Sequence, residues 1–465
     1  MKNITITCLS SIFLIACHSQ KQLKSSNENC YSGKTLAFPE AEGFGKFAKG
    51  ARGVKNPEVY TVSNLNDSGE GSFRDAVSKS GRFIVFSVSG IINLNSPVTV
   101  SENLTIAGQT APGKGIVLSG QKVSFSGANN TIARYFRIRL GNKNKVSKNT
   151  DASGISNGKN IILDHLSISW GMDEVFSINW DNRGIEPDSI TIQNSIISQG
   201  LHLYNHSAGG LIQTNGSISI IKSLYASNKT RNPKVKGKNE FVNNVIYNFG
   251  NLGNTNGHLV SGDGYIMGGS AQKSEVNIIN NYFVAGPLNV DQPTPFSRGT
   301  KTLSLFESGN YYDSNKNGIL DGKLVPHNEI AYPGETPLQF MENPFNYPYS
   351  KPSLSATQAF DYVLKNAGAN FPNRDDVDNL IITEVNSKGT KGLYVFTESD
   401  LPLDNNGLGN YPTYQGEKDS DKDGIPDSAE IKMGLNPNDS SDALKNNKHC
   451  KNYLNIEVYF NNIMK

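Results

Sequence analysis

The stretch Asn228-Lys229-Thr230-Arg231-Asn232-Pro233-Lys234-Val235-Lys236-Gly237-Lys238 gathers positive charge on a turn between two strand-like runs. From Lys222 to Lys238 there are six Lys or Arg and no Asp or Glu. Proline fixes the bend, and glycine lets the backbone approach a ligand. A rigid turn that concentrates cations suits a polyanion. The plain alternative is a solvated basic loop. Upstream, Arg134, Arg137, Arg139, Lys143, Lys145 and Lys148 form a second basic tract, and the sign then reverses through Asp151, Asp164, Asp173, Glu174 and Asp181. The net charge is only +2, so this is local sorting of sign. Carboxylates set between basic tracts suit a hard cation held by oxygen ligands. A nucleic-acid binder would instead show basic residues beside aromatics, with no acidic centre.

A second chemical signal lies near the C-terminus. Asp419-Ser420-Asp421-Lys422-Asp423-Gly424-Ile425-Pro426-Asp427-Ser428-Ala429-Glu430 matches an EF-hand loop position by position. Asp419, Asp421, Asp423, Asp427 and Glu430 supply carboxylates, Ile425 a backbone carbonyl, and Gly424 the sharp turn. Pro426 is unusual for a regulatory loop, so the expected role is a structural clamp. Asn455-Ile456-Glu457-Val458-Tyr459 is the candidate partner helix.

The elements that position these groups follow one theme. From about Val59 to Tyr312, short β-prone runs recur: Leu104-Thr105-Ile106, Thr131-Ile132-Ala133, Ile161-Ile162-Leu163, Ile190-Thr191-Ile192, Ile218-Ser219-Ile220 and onward. Most are roughly 23–35 residues apart, within the range of repeat architectures. A small polar residue and a second apolar pair follow most of them, as in Asn194-Ser195-Ile196-Ile197 and Asn280-Asn281-Tyr282-Phe283. No amphipathic helix separates them, which argues against alternating β/α folds. The reading is an all-β solenoid with several short strands per coil, and Asn and Ser bonding up the stack at one corner. A β-sandwich would show turns roughly every 8–12 residues. After Phe345 the pattern changes: Ala356 to Ala369 is helix-like, Arg374 to Val385 adds a short element, and Asp404 to Lys418 is polar.

The N-terminus reads as a targeting segment. Lys2 precedes an apolar run, Ile4 to Ala16, too short to span a membrane. It ends in Leu14-Ile15-Ala16-Cys17, which resembles a bacterial lipoprotein signal with Cys17 lipidated. An ordinary secretory signal is the alternative. The expected location is outside the cytoplasm: an outer-membrane lipoprotein, or a periplasmic, cell-surface or secreted protein. Cys30 and Cys450 stand at the two ends of the mature chain. Export permits a bridge between them, but sequence separation does not fix its geometry.

The segment Ala37-Phe38-Pro39-Glu40-Ala41-Glu42-Gly43-Phe44-Gly45, with Val62-Ser63-Asn64-Leu65-Asn66-Asp67-Ser68-Gly69 and Gly71-Ser72-Phe73-Arg74-Asp75-Ala76-Val77, resembles the opening of bacterial pectate lyases of polysaccharide lyase family one. Thr105-Ile106-Ala107-Gly108-Gln109-Thr110-Ala111-Pro112-Gly113, Asp164-His165-Leu166-Ser167-Ile168-Ser169-Trp170 and Arg231-Asn232-Pro233-Lys234-Val235-Lys236-Gly237 continue it. The resemblance implies a right-handed parallel β-helix. It also implies Ca²⁺-dependent β-elimination of polygalacturonate: loss of the C5 proton, expulsion of the C4 glycosidic oxygen, and a 4,5-unsaturated end. The expected organisation is a signal peptide at 1–17, a tether at 18–36, the β-helix at 37–345, a segment packed on it at 346–415, and a small calcium-binding extension at 416–465. The partners would be pectate and, through the Cys17 lipid alone, a membrane; the chain would be a monomer that binds no nucleic acid.

Carried over by position, Arg231 matches the Brønsted base, which requires help because arginine normally stays protonated. Lys236 stands where a second, substrate-binding arginine is usual, and Lys234 adds charge. Lys lacks the bidentate fork of Arg. For the Ca²⁺ site, Asp151 and Asp173 match ligands, Asn149 stands where an Asp would complete an Asp-x-Asp pair, and Ser177 occupies a ligand position: either Glu174 substitutes for it, or the site is weak until substrate carboxylates complete it. The usual substrate-binding lysine is missing, and His206 is the nearest candidate. Asp164-His165 reads as structural. The alternatives are a pectin lyase acting on methyl-esterified chains, or a non-catalytic pectin-binding β-helix.

Overall fold

A computed structural model describes residues 34–250, 263–268 and 272–464. Cys17 and Cys30 lie outside the described residues, and Cys450 is disulfide-bonded. Each coil lays down three short strands, for example Lys159–Asp164, Ser167–Ser169 and Phe176–Asn179, before the chain returns at Asp188–Gln193. Equivalent strands pair in parallel from coil to coil, so that Ile161 faces Ile190 and Ile190 faces Ile218. Among the described residues this builds three sheets of 11, 8 and 10 strands. Alternation along each strand sends every second side chain inward. Ile161, Ile190 and Ile218 stack in one buried column and Leu163, Ile192 and Ile220 in a second, while Ile162 faces outward and is covered by Ala37, Phe38 and Ala41. The sheets are here called the first, second and third in the order the chain visits them within a coil. On this order Lys159–Asp164 lies in the first, Ser167–Ser169 in the second and Phe176–Asn179 in the third.

The corner between first and second sheets carries the expected ladder. Leu166 N–H donates to Ser195 Oγ, Ser195 N–H to Ser223 Oγ, and Ser223 N–H to Asn244 Oδ1. Asn244 N–H then donates to Asn281 Oδ1, and Asn281 N–H to Asn310 Oδ1. The residue before each ladder position turns left-handed: Asn194 at φ 49°, Asn243 at 57° and Asn280 at 51°. Asn is among the residues that tolerate this conformation best, so one residue type recurs at this corner for two reasons. The opening segment docks on the outside of the first sheet, where Gly45 N–H donates to Thr191 Oγ1 at 2.8 Å. A Cβ on Gly45 would lie 2.3 Å from the Ile161 carbonyl oxygen, so only glycine permits this approach.

Five helices decorate the solenoid among the described residues: α1 (Phe73–Ala76), α2 (Ala356–Asn366), α3 (Asp376–Asn386), α4 (Asp427–Met433) and α5 (Asn455–Asn462). Helices α2 and α3 belong to the segment that covers the second sheet. The latch is ionic. Arg139 donates to Asp378 at 2.7 Å and to Asp375 at 3.2 Å, Arg137 faces both acids, and Ser167 Oγ donates to Asp378 at 2.6 Å. These groups are fully buried or nearly so. The upstream basic tract is therefore not a polyanion surface over Arg134, Arg137 and Arg139. Arg134 pairs with buried Asp164, and the other two are neutralised from the C-terminal segment. No helix among the described residues is long and apolar enough to cross a membrane.

Candidate active site

The turns between second and third sheets are longer than the ladder corner, and they stack. Ala152 N–H donates to Glu174 O, Val175 N–H to Ala208 O, and Gly209 N–H to Thr230 O. This backbone ladder brings Asp151, Asp173, Glu174, His206 and Arg231 from successive coils into one row. Residues up to 80 positions apart thus share a site because each precedes the equivalent strand of its own coil.

The side chains then interlock. The Arg231 guanidinium donates to the Glu174 carboxylate. Asp151 accepts the Glu174 N–H at 3.2 Å and faces Lys122 Nζ at 3.2 Å. His206 Nδ1 lies 3.1 Å from Asp173 Oδ1. Burial, and then the charge of Asp151, push the Glu174 carboxyl up to about 8 against the pull of Arg231. Acids crowded in this way ionise together only beside added positive charge. His206 is moved downward by its own burial, opposed by Asp173.

Three carboxylates converging from two coils match the oxygen chemistry of a calcium ion. Asp173, Glu174 and His206 place one ligand-capable atom each within 4.8 Å of one another. Asp173 and Glu174 could hold such a cation there, with Asp151 beside Glu174 as a further carboxylate. Ser177 does not join them: it is buried, and its Oγ accepts the Leu211 N–H at 3.1 Å. Asn149 is exposed two residues before Asp151, and its N–H donates to Ser147 Oγ. His206, read from sequence as a substrate contact, stands against the acidic cluster with its side chain 37 % exposed.

The basic side of the site has a structure of its own. Arg231 is left-handed at φ 55°, and its side chain is about one quarter exposed, at 26 %. Lys234 begins the next strand of the third sheet; burial and then Arg231 lower its affinity for a proton. Lys236, read from sequence as a substrate contact, is 5 % exposed. Lys229 Nζ donates to the carbonyl and side-chain oxygens of Asn205.

Sequence reasoning missed Lys122, Asp263 and Arg298. Asp263 accepts from Thr230 Oγ at 2.9 Å, from Ser297 Oγ at 2.7 Å and from Arg298 at 2.9 Å. It anchors the Arg231 turn and a further arginine on the following coil. Nothing local in the sequence marks it, because its partners lie more than 30 positions away in both directions. Only the coil spacing could have paired Asp263 with Thr230.

In the C-terminal loop, Asp419, Asp421 and Asp423 converge as expected. Asp427 does not. Its carboxylate accepts the Ser420 N–H at 2.7 Å and the Ser420 hydroxyl at 2.8 Å, and it faces Lys418. It opens α4, where an acid in the first turn is favourable. Ile425 is fully buried, and its N–H donates to Asp423.

No protein-family model matches the chain. Over 436 residues it is 45% identical to a protein named "Probable pectate lyase C" from Aspergillus flavus, covering 93% of this chain and 95% of the relative. The chain belongs to the pectate lyase family. Its counterpart from Aspergillus oryzae is 46% identical over 437 residues, with 93% and 95% covered, and that from Emericella nidulans is 42% identical over 431, with 92% and 93% covered. These relatives are fungal, so the bacterial affinity suggested by the motifs is corrected to the broader family. A mutant pectate lyase from Bacillus subtilis superposes with a TM-score of 0.50 at 14% identity, over 73% of this chain and 99% of that one. That likeness establishes the fold: this lyase is a right-handed parallel β-helix.

Proposed function

We propose that the enzyme cleaves polygalacturonate by β-elimination, with Ca²⁺ held by Asp151, Asp173 and Glu174 and with Arg231 as the base. The observation that carries this reading is the Arg231–Glu174 pair, which sets the one candidate base against the acidic cluster. When bound, Ca²⁺ supplies positive charge that acidifies a carboxylate-bearing carbon and steadies the enolate-like charge left on proton loss. Lys234 and Arg298 add cations along the row where an anionic chain would lie. Arg231 must leave Glu174 and present a neutral nitrogen before it accepts the C5 proton. Glu174 is the counter-charge that favours the protonated guanidinium, so engaging Glu174 elsewhere weakens that hold. The C4 oxygen then departs as the C4–C5 double bond forms. The retained carboxylates favour free galacturonates over fully esterified chains, whose neutral groups would gain little from a cation site.

The test is ultraviolet absorbance of the conjugated unsaturated product on polygalacturonate, with and without chelator. Chelator should abolish it and added Ca²⁺ restore it. Reducing ends without unsaturated product would identify a hydrolase instead.

A further inference from the structure

We propose that Asp419, Asp421, Asp423, Glu430 and Asp442 form a Ca²⁺ site that locks the C-terminal module onto the first coils of the β-helix. Asp442, which lies outside the loop, takes the place that loop spacing assigns to Asp427.

The geometry carries the claim. Carboxylate oxygens of Asp419, Asp421 and Asp423 lie within 4.8 Å of one another, and so do those of Asp423, Glu430 and Asp442. Asp423 belongs to both sets, so the two describe one site. Glu430 is 0 % exposed, and neither of its side-chain oxygens has a hydrogen-bond partner. Both oxygens of Asp421, Asp423 Oδ2 and Asp442 Oδ1 are also enclosed and unpartnered. Buried carboxylate oxygens without partners carry a heavy desolvation cost. A divalent cation bound by oxygen satisfies all of them at once. Two nearby lysines are committed elsewhere, Lys418 to Asp427 and Lys445 to Asp439.

Asp442 is held ready for this role. Its Oδ2 accepts the Asn436 N–H at 3.0 Å, which leaves Oδ1 to the cluster. Its carbonyl accepts from Asn455 Nδ2, and Ala443 O accepts the Ile456 N–H, so the turn is fixed to α5. A cation shared by Glu430 and Asp442 therefore joins the loop and α4 to α5. That pair of helices is seated on the solenoid. Ile425, Ile456, Tyr459 and Phe460 form one buried cluster with Phe83, Val85 and Ala107 of the first coils. Gly424, at φ 89°, lets the loop approach closely, since a Cβ there would lie 2.7 Å from Val59. Arg52 pairs with buried Glu457 across the same seam.

The test uses the full chain in a background that disables the catalytic cluster, Asp173→Asn with Glu174→Gln, after chelation and dialysis. Calcium alone is titrated by calorimetry, and melting is followed with and without it. The background protein should bind one Ca²⁺ and melt higher in its presence, because a ligand of the native state stabilises by mass action. Asp442→Asn and Glu430→Gln should each weaken binding by about tenfold or more, since affinity follows ligand charge. Asp427→Asn should stay within about twofold. Circular dichroism checks that each variant is folded, and the isosteric Glu430→Gln serves if Asp442→Asn is not. Absence of saturable binding in the background protein, or full affinity in folded Glu430→Gln, would overturn the site. Equal losses in Asp427→Asn and Asp442→Asn would overturn the exchange of ligands. With the catalytic cluster intact, Asp442→Asn should eliminate polygalacturonate at near the parent rate at moderate temperature. Loss of turnover in that folded protein would overturn the separation of this site from catalysis, whereas an inactive parent would count only against the catalytic reading.

Discussion

Arg231 and Glu174 form an ion pair across the coil that separates them. Glu174 bridges in parallel to Ala208, and Ala208 to Thr230, so the pair spans two steps of one backbone ladder. The two opposite charges are thus placed by the solenoid itself, and each holds the other.

Arg231→Lys should keep the fold and much of the substrate affinity while losing about 10²–10⁴-fold in turnover, the usual contribution of a general base. Lysine retains charge but not the planar, multi-nitrogen guanidinium that reaches the C5 proton once it has left Glu174. Initial rates of unsaturated product, with binding measured separately, check this. A near-normal rate would assign the base elsewhere.

Glu174→Gln should raise the Ca²⁺ concentration needed for half-maximal activity by about tenfold or more, because one anionic donor is lost. Ser177→Ala should leave that concentration unchanged, since Ser177 Oγ is spent on the Leu211 N–H. Asn149→Asp should lower it by adding a carboxylate beside Asp151. Activity against Ca²⁺ concentration for the three variants separates a site built on Glu174 from one built on Ser177.

The fold was legible because a coil repeats its own constraints. Asn244, Asn281 and Asn310 announce a corner that needs both a left-handed neighbour and a side-chain acceptor, and the paired aliphatic runs announce the core. The helix Ala356–Asn366 was legible from periodicity, whereas the short element expected at Arg374 to Val385 carried no type and is the helix Asp376–Asn386. The catalytic row was partly legible, through Arg231 and the clustered acids. Charge sorting failed at Arg137 and Arg139, whose counter-ions Asp375 and Asp378 lie well over 200 positions away. At Asp427 a helix start and Ser420 compete for the carboxylate that the loop spacing assigns to a cation. Sequence spacing reports local ligands well. It does not report which distant chain will neutralise a charge.

The buried latch gives a third expectation. Asp378→Ala would leave Arg139 and Arg137 with Asp375 as their one remaining acid in the latch, and breaking a buried ion network in this way costs about 3–5 kcal/mol. The melting temperature should fall substantially, while elimination rates below the transition change little. Replacing the charges by well-packed apolar groups of similar size should cost less than the single change. Thermal melts and rates at one moderate temperature check both statements. A loss of activity in folded Asp378→Ala would show that the latch also shapes the groove.

Glu240 gives a pH dependence with a definite sign. It sits on the first sheet, 1 % exposed, where its carboxylate accepts from Ser219 Oγ at 2.6 Å and from the Tyr349 N–H at 2.9 Å. Burial outweighs these bonds and raises its pKa to about 7 from 4.5. Between those two values the folded chain holds a proton that the unfolded chain has released. Stability from this group is therefore greatest below the lower value, declines as pH rises through the interval, and reaches its full penalty above the upper one. The span corresponds to about 3 kcal/mol at most. Glu240→Gln removes the titration, so the difference in unfolding free energy between variant and parent should move in the variant's favour from pH 5 to pH 8. Denaturant unfolding of both proteins across that range measures it. A difference that stays constant with pH would mean that Glu240 titrates alike in the folded and unfolded chains.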